Sequence, residues 1–177
     1  IKEHLFRKMN KVLILINVIT IQEIYYIIKV MAKKKLQDIK ITLLSISETL
    51  YRFNYDYDYS ILDSNDLRID FAHNFKSNDE ACMFEIEIKA KYKCKENVLT
   101  ELGVLTSFII DPYSEFIVGK NEEGFSTNIP EILEKICSIS LGILRGVFFS
   151  KLKGTPLEKY PIPLIPIDAI IPQIKKE

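Results

Sequence analysis

The sequence carries no excess of either charge, since its 177 residues include 24 Lys and Arg against 24 Asp and Glu. A protein that binds DNA or RNA needs a basic surface, because neutralising phosphates supplies most of the affinity. The zero net charge therefore argues against a nucleic-acid partner. With 47% hydrophobic and 27% charged residues, the composition is that of a globular protein, and the length fits one main domain.

Cysteine is scarce, and its spacing excludes a metal knuckle or a redox pair. Cys82, Cys94 and Cys137 are odd in number, and no two of them have the short separation that such sites require. They are best explained as buried thiols in a reducing compartment. We therefore expect a cytoplasmic protein.

Signatures of the common enzyme classes are missing. The sequence has no G-x-S-x-G, no H-E-x-x-H and no P-loop, and residues 119–124 hold their lysine and glycines in the wrong order for phosphate. Of the two histidines, His4 lies near the N-terminus, and His73 falls on the apolar face of a predicted strand, where a core histidine is the simpler explanation. We expect no enzyme activity, no cofactor and no metal.

A Tyr-Asp repeat, YDYDYS at residues 55–60, is the next candidate for a site. It imitates the start of a calcium loop, but Ile61 stands where glycine is needed and Leu67 where a bidentate glutamate is needed, so calcium is rejected. Two interpretations of the tyrosines stay open. They form either the aromatic face of a strand end or an aromatic wall for a ligand.

The N-terminal extension, residues 1–34, is separate from the predicted main domain, residues 35–177. Residues 12–21 (VLILINVITI) form an apolar run behind two lysines, which is the layout of a signal peptide, but no small-residue cleavage site follows. Extended to Met31, the stretch is long enough to cross a bilayer, although three polar or charged residues inside it would be costly there. It is interpreted as extra translated sequence ahead of a start at Met31, as an accessory helix, or as a membrane or export segment.

Alternating apolar and polar residues predict four β-strands, at residues 41–53, 67–76, 82–94 and 98–110. The last three are joined by short turns, which predicts antiparallel neighbours, because a parallel crossover needs about a dozen residues. The first strand is apolar on both faces, so we expect it to be partly buried on each. Its two predicted faces are Ile41, Leu43, Tyr51 and Phe53 on one side and Leu44, Ile46 and Leu50 on the other.

A long connection follows Asp111-Pro112, which ends the fourth strand because proline lacks a backbone donor. Tyr113, Phe116 and Phe125 lie in this connection, which runs to Asn128. Apolar side chains on so long a loop predict a packed flap rather than a linker, and long loops of this kind are candidate functional segments.

One long helix is predicted over residues 129–153, with Asn128 as its N-cap, Pro130 in its first turn and Gly154 at its end. At 1.5 Å per residue it would be about 37 Å long, enough to span a sheet diagonally. Its apolar residues exceed what one buried stripe needs, which indicates a partner.

Small residues recur at every fourth position of this helix. Glycine inside a helix costs about 1 kcal/mol relative to alanine, so a close contact is expected to compensate. That contact is either with the chain's own sheet or with a helix of another subunit. The predicted oligomer interface consists of Ser138, Gly142, Gly146 and Ser150.

Five prolines after Gly154 rule out another long helix and predict an extended segment, with at most a short helical turn at residues 167–171. Leu164, Ile165 and Ile167 are expected to dock on the body. The predicted fold class is therefore α+β: a four-stranded antiparallel sheet packed against one long helix, followed by an extended Pro-rich segment and a short C-terminal helical turn.

This order of elements resembles the SecB family of protein-export chaperones over residues 39–172. The strings that carry the resemblance are Phe108-Ile109-Ile110, Ser140-Leu141-Gly142-Ile143-Leu144-Arg145-Gly146, Gly154-Thr155 and Leu164-Ile165-Pro166-Ile167-Asp168. The resemblance implies an ATP-independent holdase that assembles as a homotetramer, a dimer of dimers. It also implies apolar grooves that bind unfolded or precursor polypeptides, either for export or for control of a toxin–antitoxin pair.

The resemblance also assigns candidate sites. Client binding maps to Tyr113, Phe116, Phe125, Ile129 and Leu133. Contact with the SecA translocase motor, which the family makes through an acidic patch, maps to Glu48, Leu99 and Glu101. The chain departs from the usual acidic family member by its zero net charge and by Lys89, Lys91 and Lys93 on the third strand.

Two other functions stay open from the sequence. The chain could be a non-catalytic interaction module with one dedicated folded protein partner. An enzyme that uses the Tyr-Asp repeat is the third possibility.

Overall fold

The computed structural model describes residue 26, residues 39–121 and residues 124–167. The chain divides after Ile39 into two units, and the fold below is that of the second unit, from Lys40 onward. The apolar run at residues 12–21 lies outside the described residues. Among those described, no helix has both the length and the apolar character needed to cross a membrane.

The core of the fold is a four-stranded sheet made of β1 (Lys40–Phe53), β2 (Leu67–Asn78), β3 (Met83–Cys94) and β4 (Asn97–Asp111). Its strand order is β1-β4-β3-β2, and every neighbouring pair is antiparallel. The predicted antiparallel sheet is confirmed. β1 and β2 are its two edges.

The two central strands, β3 and β4, carry the buried core. Every second residue of β3 from Phe84 to Cys94 is buried, as the alternation predicts. Buried residues of β4 stand opposite them across the sheet, including Leu102, Val104 and Phe108. The long helix packs against these two strands, so one face of the sheet is covered along its middle.

β1 departs from its predicted pattern. Register shifts after Leu43 and after Glu48 interrupt the alternation, as β-bulges do. As a result Ile46 stands opposite Thr106 and Leu43 opposite Phe108, both on the helix-facing side, so the prediction that they lie on opposite faces is wrong. The predicted partial burial on both faces holds at Leu50 on one face and at Tyr51 and Phe53 on the other. It fails in the middle of this edge strand, where Leu44 and Ile46 are 55% and 50% exposed.

The connection from β1 to β2 crosses the end of the sheet through two short 3-10 turns, Tyr59–Ile61 and Ser64–Asp66. The side chains of Asp58 and Asp63 accept hydrogen bonds from the backbone at the start of these turns. The two Ser60 donors, its hydroxyl and its N–H, lower the pKa of Asp58. These aspartates of the Tyr-Asp region therefore have a local structural role.

The tyrosines of the repeat stack at the end of β1. Tyr59 packs against Phe53 with ring centroids 5.6 Å apart, and Tyr57 meets Tyr59 edge-on at 5.1 Å. The Tyr59 hydroxyl donates to the Asn54 carbonyl at 2.8 Å. Of the two interpretations of the tyrosines, this packing favours the aromatic face of a strand end.

The connection after β4 is structured, as predicted. A short helix α1 (Tyr113–Phe116) leads into a hairpin of β5 (Ile117–Asn121) and β6 (Gly124–Thr127). Tyr113 and Phe116 are buried. The hairpin is a two-stranded sheet of its own.

Helix α2 covers Pro130–Leu152, within one residue of its predicted bounds at either end. Asn128 is not its N-cap. The capping position is Ile129, which makes no side-chain cap hydrogen bond. Its own N–H donates to the Thr127 hydroxyl at 3.1 Å, a local contact just before the helix. Gly154 follows the helix with a φ of +79°, a conformation that glycine adopts without a steric penalty.

Residues 155–162 return along the sheet beside α2. Leu157 and Ile162 are buried, whereas Leu164 is 84% exposed, so the predicted docking of Leu164 is wrong. Prolines 161 and 163 flank Ile162 and hold the chain extended, which lets only Ile162 reach the core there. Of the predicted turn at residues 167–171, only Ile167 is among the described residues.

Candidate functional site

An apolar row runs along the helix-facing side of the edge strand β2. Its residues stand directly opposite the buried residues of β3, which fixes the face on which they lie. They are only half-buried, because α2 packs on β3 and β4 and does not extend over β2. At about 3.4 Å per residue the row is about 20 Å long. Its members are Ile69, Phe71, His73 and Phe75.

The two ends of this row are closed by other parts of the chain. At one end the Tyr92 hydroxyl, beside Ile69, donates to the Tyr160 carbonyl at 2.6 Å and holds the returning segment. At the other end Phe125 of the hairpin packs edge-on against Phe75, with ring centroids 5.7 Å apart. We call this surface the β2 groove; it consists of Ile69, Phe71, His73, Phe75 and Phe125.

The backbone of β2 adds a second kind of contact. β2 is the terminal strand of the sheet within the described residues, and the outer edge of such a strand presents N–H and C=O groups to a further strand. An extended polypeptide can pair with such an edge whatever its sequence. The groove can therefore hold apolar side chains beside a backbone that pairs with β2.

The predicted client-binding residues fall into two groups. Phe125 lies on the β2 groove. The other four are buried in packing: Phe116 meets the Phe84 ring edge-on at 5.2 Å, and the Tyr113 hydroxyl donates to the Met83 carbonyl at 3.1 Å. Ile129 and Leu133 are buried as well. A client-binding role for these four stays a prediction.

The row on β2 was missed as a site in the sequence, although its alternation was recognised. A half-buried strand face has the same pattern as a core face. The distinction depends on strand order, which places β2 at an edge and β3 in the centre.

The structure does not bring the three residues predicted for SecA contact onto one surface. Leu99 is fully buried. Glu48 lies on the helix-facing side, opposite Val104, and pairs with Lys151 of α2 at 2.8 Å. Glu101 lies on the other side, where it pairs with Lys91 at 3.2 Å.

The outer face of the sheet carries compensated charge. Lys89 pairs with Glu87 at 3.3 Å, and Lys93 of β3 pairs with Asp70 of β2 at 2.5 Å. Together with the Lys91–Glu101 pair, these contacts give each lysine of the third strand an acidic neighbour. The lysines that depart from the usual acidic family member are thus balanced locally.

The strip of small residues on α2 faces outward. Ser138, Gly142, Gly146 and Ser150 are exposed, and a Cβ at either glycine would meet nothing within 4 Å. Close packing on the chain's own sheet, one of the two interpretations from the sequence, is therefore wrong. Phe149, 52% exposed, lies beside the strip. A contact with another subunit stays a prediction.

Burial shifts the pKa of two ionisable groups that lie between the sheet and the helix. It raises the pKa of Tyr92 to about 12 and that of the Cys137 thiol to about 12. Both groups are therefore neutral at physiological pH. Within residues 39–121 and 124–167 no cluster of three or more His, Cys, Asp or Glu side chains could hold a metal ion.

Two solved structures are similar to this chain. A SecB-like chaperone from Mycobacterium tuberculosis, in complex with a peptide from an antitoxin, is 9% identical and has a TM-score of 0.46 over 76% of this chain and 92% of its own. A protein of unknown function from Streptococcus agalactiae is 12% identical and has a TM-score of 0.33 over 72% of this chain and 98% of its own. No protein-family model and no curated protein matches the sequence.

Proposed function

We propose that this chain is a non-enzymatic, ATP-independent holdase chaperone that binds unfolded polypeptide in the β2 groove. The observation that carries the proposal is the half-buried apolar row on β2, which among the described residues is the terminal strand of its sheet and has no strand paired to its outer edge. A folded partner hides its apolar side chains and backbone groups. An unfolded chain offers both at once.

The energetics of such a groove suit binding without sequence specificity. Each Å² of apolar surface removed from water contributes about 25 cal/mol, whichever apolar side chain supplies it. Pairing of the client backbone with β2 adds affinity that does not depend on side chains. A row of about 20 Å accommodates roughly six residues of an extended client.

The clients that we propose follow from the resemblance in sequence. They are precursor proteins bound before export, or an antitoxin that is held unfolded until it folds with its toxin. We further propose that the chain works as a homotetramer built as a dimer of dimers. The outward strip of small residues on α2 and the exposed apolar residues of β1 support self-association.

A dedicated folded partner is the second candidate. The rigid outer face of α2, with Phe149 and Ile139 exposed beside two glycines, favours it, because a folded surface could approach the helix closely there. This candidate and the holdase differ in the state of protein that they recognise.

The test of the proposed function is suppression of aggregation of a slowly refolding protein, with two matched variants. Phe71→Ser removes an aromatic ring from the middle of the groove, and Tyr55→Ser removes an exposed ring outside it. Loss of a half-buried aromatic contact is worth about 1–2 kcal/mol, so the dissociation constant for the unfolded client should rise about 5- to 30-fold in Phe71→Ser. It should stay unchanged in Tyr55→Ser.

Both variants are first checked for an unchanged circular-dichroism spectrum and unfolding midpoint. If wild-type protein leaves refolding and aggregation unchanged, the holdase function is wrong. If Phe71→Ser holds the client as well as wild type does, the groove is not the binding surface.

A further inference from the structure

An aromatic pocket lies at the hairpin end of the β2 groove. Phe84 forms its floor and is fully buried, and Phe116 meets that floor edge-on at 5.2 Å. Phe75 lies beside it, with its ring centroid 5.8 Å from that of Phe84. The edge-to-face contact of Phe116 with Phe84 is a geometry that aromatic rings prefer, and the three rings together form an aromatic surface on which a further ring can pack.

Phe125 occupies this pocket. Its ring meets Phe84 at 5.0 Å with an interplanar angle of 77°, and Phe75 at 5.7 Å with an angle of 85°. It is nevertheless only half-buried. The ring is thus a partly exposed aromatic side chain that packs on two other rings at one end of the groove.

The segment that carries Phe125 is separate from the main sheet. The strands β5 and β6 pair with each other and not with β1 to β4. A two-stranded hairpin has little stability of its own in water. Lifting Phe125 out of the pocket therefore leaves the strand pairing of the four-stranded sheet intact.

We propose that Phe125 is a displaceable internal occupant, and that a Phe, Tyr or Trp side chain of the client replaces it during binding. The inference rests on the proposed function and adds specificity to it. Clients with an aromatic residue also bind in the pocket, whereas clients with only aliphatic residues bind along the rest of the groove. Competition from Phe125 lowers the apparent affinity by the fraction of molecules in which the pocket is open.

The direction in which one substitution changes peptide affinity shows whether Phe125 is a displaceable occupant of the pocket or a fixed part of its wall. We expect Phe125→Ala to bind a labelled extended peptide with one central Phe about three- to tenfold more tightly than wild type does, because the competitor is gone. Phe75→Ala, which removes a side of the pocket, should bind it more weakly. Tyr55→Ala, an exposed aromatic outside the groove, should bind it as wild type does. Fluorescence anisotropy measures all four proteins.

A matched peptide with Ala in place of Phe provides the second comparison. Phe125→Ala should show no such gain in affinity for this peptide, since the peptide cannot use the pocket. If Phe125→Ala instead weakens binding of the Phe peptide as Phe75→Ala does, Phe125 is a wall and this inference is overturned, while the proposed function stands.

A second variant reports the displacement directly. The chain has no tryptophan, so Phe125→Trp places a single tryptophan in the pocket. We expect its emission to shift to the red on addition of the Phe peptide, because the indole moves into water, and to stay constant with the Ala peptide. Binding of the Phe peptide with an unchanged or blue-shifted emission would contradict displacement. Failure of every variant and of wild type to bind either peptide or an unfolded protein would overturn this inference and the proposed function together.

Discussion

The hydroxyl of Tyr92 lies at the end of the β2 groove next to Ile69, where it bonds the returning segment to the sheet. It donates to the Tyr160 carbonyl at 2.6 Å, and its ring packs on Phe148 of α2 with centroids 5.4 Å apart. Burial disfavours the charged phenolate and raises its pKa from 10.0 to about 12. One side chain thus joins the sheet, the helix and the return, provided that it keeps its proton.

The raised pKa predicts a specific loss of stability in alkali. Between pH 10 and pH 12 the unfolded chain loses the Tyr92 proton while the folded chain keeps it, so the unfolded state binds fewer protons and the free energy of unfolding falls as pH rises. Below pH 10 this contribution is fully present. Tyr92→Phe should cost about 1 kcal/mol at pH 7 through the lost hydrogen bond, but its stability should fall less steeply above pH 10. Urea denaturation at pH 8, 10, 11 and 12 measures both slopes, and equal slopes would contradict the role of Tyr92.

Single residues also show what the sequence could and could not predict. Phe71 on β2 and Ile88 on β3 both lie on the helix-facing side of the sheet, in strands that show the same alternation of apolar and polar residues. Yet Ile88 is fully buried and Phe71 is half-buried. Alternation predicts the face on which a side chain lies, because it depends on the local backbone. It does not predict which strand is at the edge, because that depends on pairing between distant segments. The row on β2 was therefore given no binding role from the sequence. The client-binding role of Tyr113 and Phe116 comes from the family resemblance and stays a prediction.

At the scale of elements, the central strands and the long helix follow their sequence closely, and the irregular parts do not. The bounds of α2 agree with the prediction because Pro130 and Gly154 punctuate it. The predicted faces of β1 disagree with the structure, because each of two register shifts inserts a residue and the alternation of apolar and polar residues in the sequence does not reveal it. The N-cap differs as well, since the capping position is Ile129, which has no side-chain cap, and not Asn128.

Two glycines, one inside α2 and one just after it, should respond in opposite ways to substitution by alanine. Gly154 has a φ of +79°, and Gly142 lies inside the helix with open space where a Cβ would be. Gly154→Ala should lower the free energy of unfolding by about 1 kcal/mol, because alanine is strained at positive φ. Gly142→Ala should raise it by up to about 1 kcal/mol through helix propensity. Chemical denaturation measures both changes, and the same sign for the two variants would contradict the assigned conformations.

At the scale of the whole molecule, the described residues of the sheet-and-helix unit leave several apolar side chains exposed. They lie on β1, along the β2 groove and on the outer face of α2. The surplus on the helix was predicted from its sequence, because apolar residues outnumbered the positions of one stripe. Its location was not, since the exposed face depends on how α2 lies on β3 and β4.

Assembly through α2 is the prediction that belongs to this scale. Gly146→Leu adds a large side chain where nothing lies within 4 Å in the chain itself, so the fold should be unaffected while close helix contact between subunits is blocked. Light scattering should show a mass lower than that of the wild type, which for the proposed tetramer means a shift toward a dimer. Lys153→Leu, an exposed change just beyond the helix, is the control and should leave the mass unchanged. An unaltered tetramer in Gly146→Leu would place the subunit contact elsewhere.

The central claim is that the chain recognises the unfolded state of other polypeptides, and the most direct measurement compares two states of one protein. A disulfide-bonded protein in its native form and the same protein after reduction and carboxymethylation, which keeps it unfolded, are each titrated with this protein by calorimetry. The account predicts binding of the unfolded form and none of the native form. Equal binding of both forms, or binding of the native form alone, would contradict it.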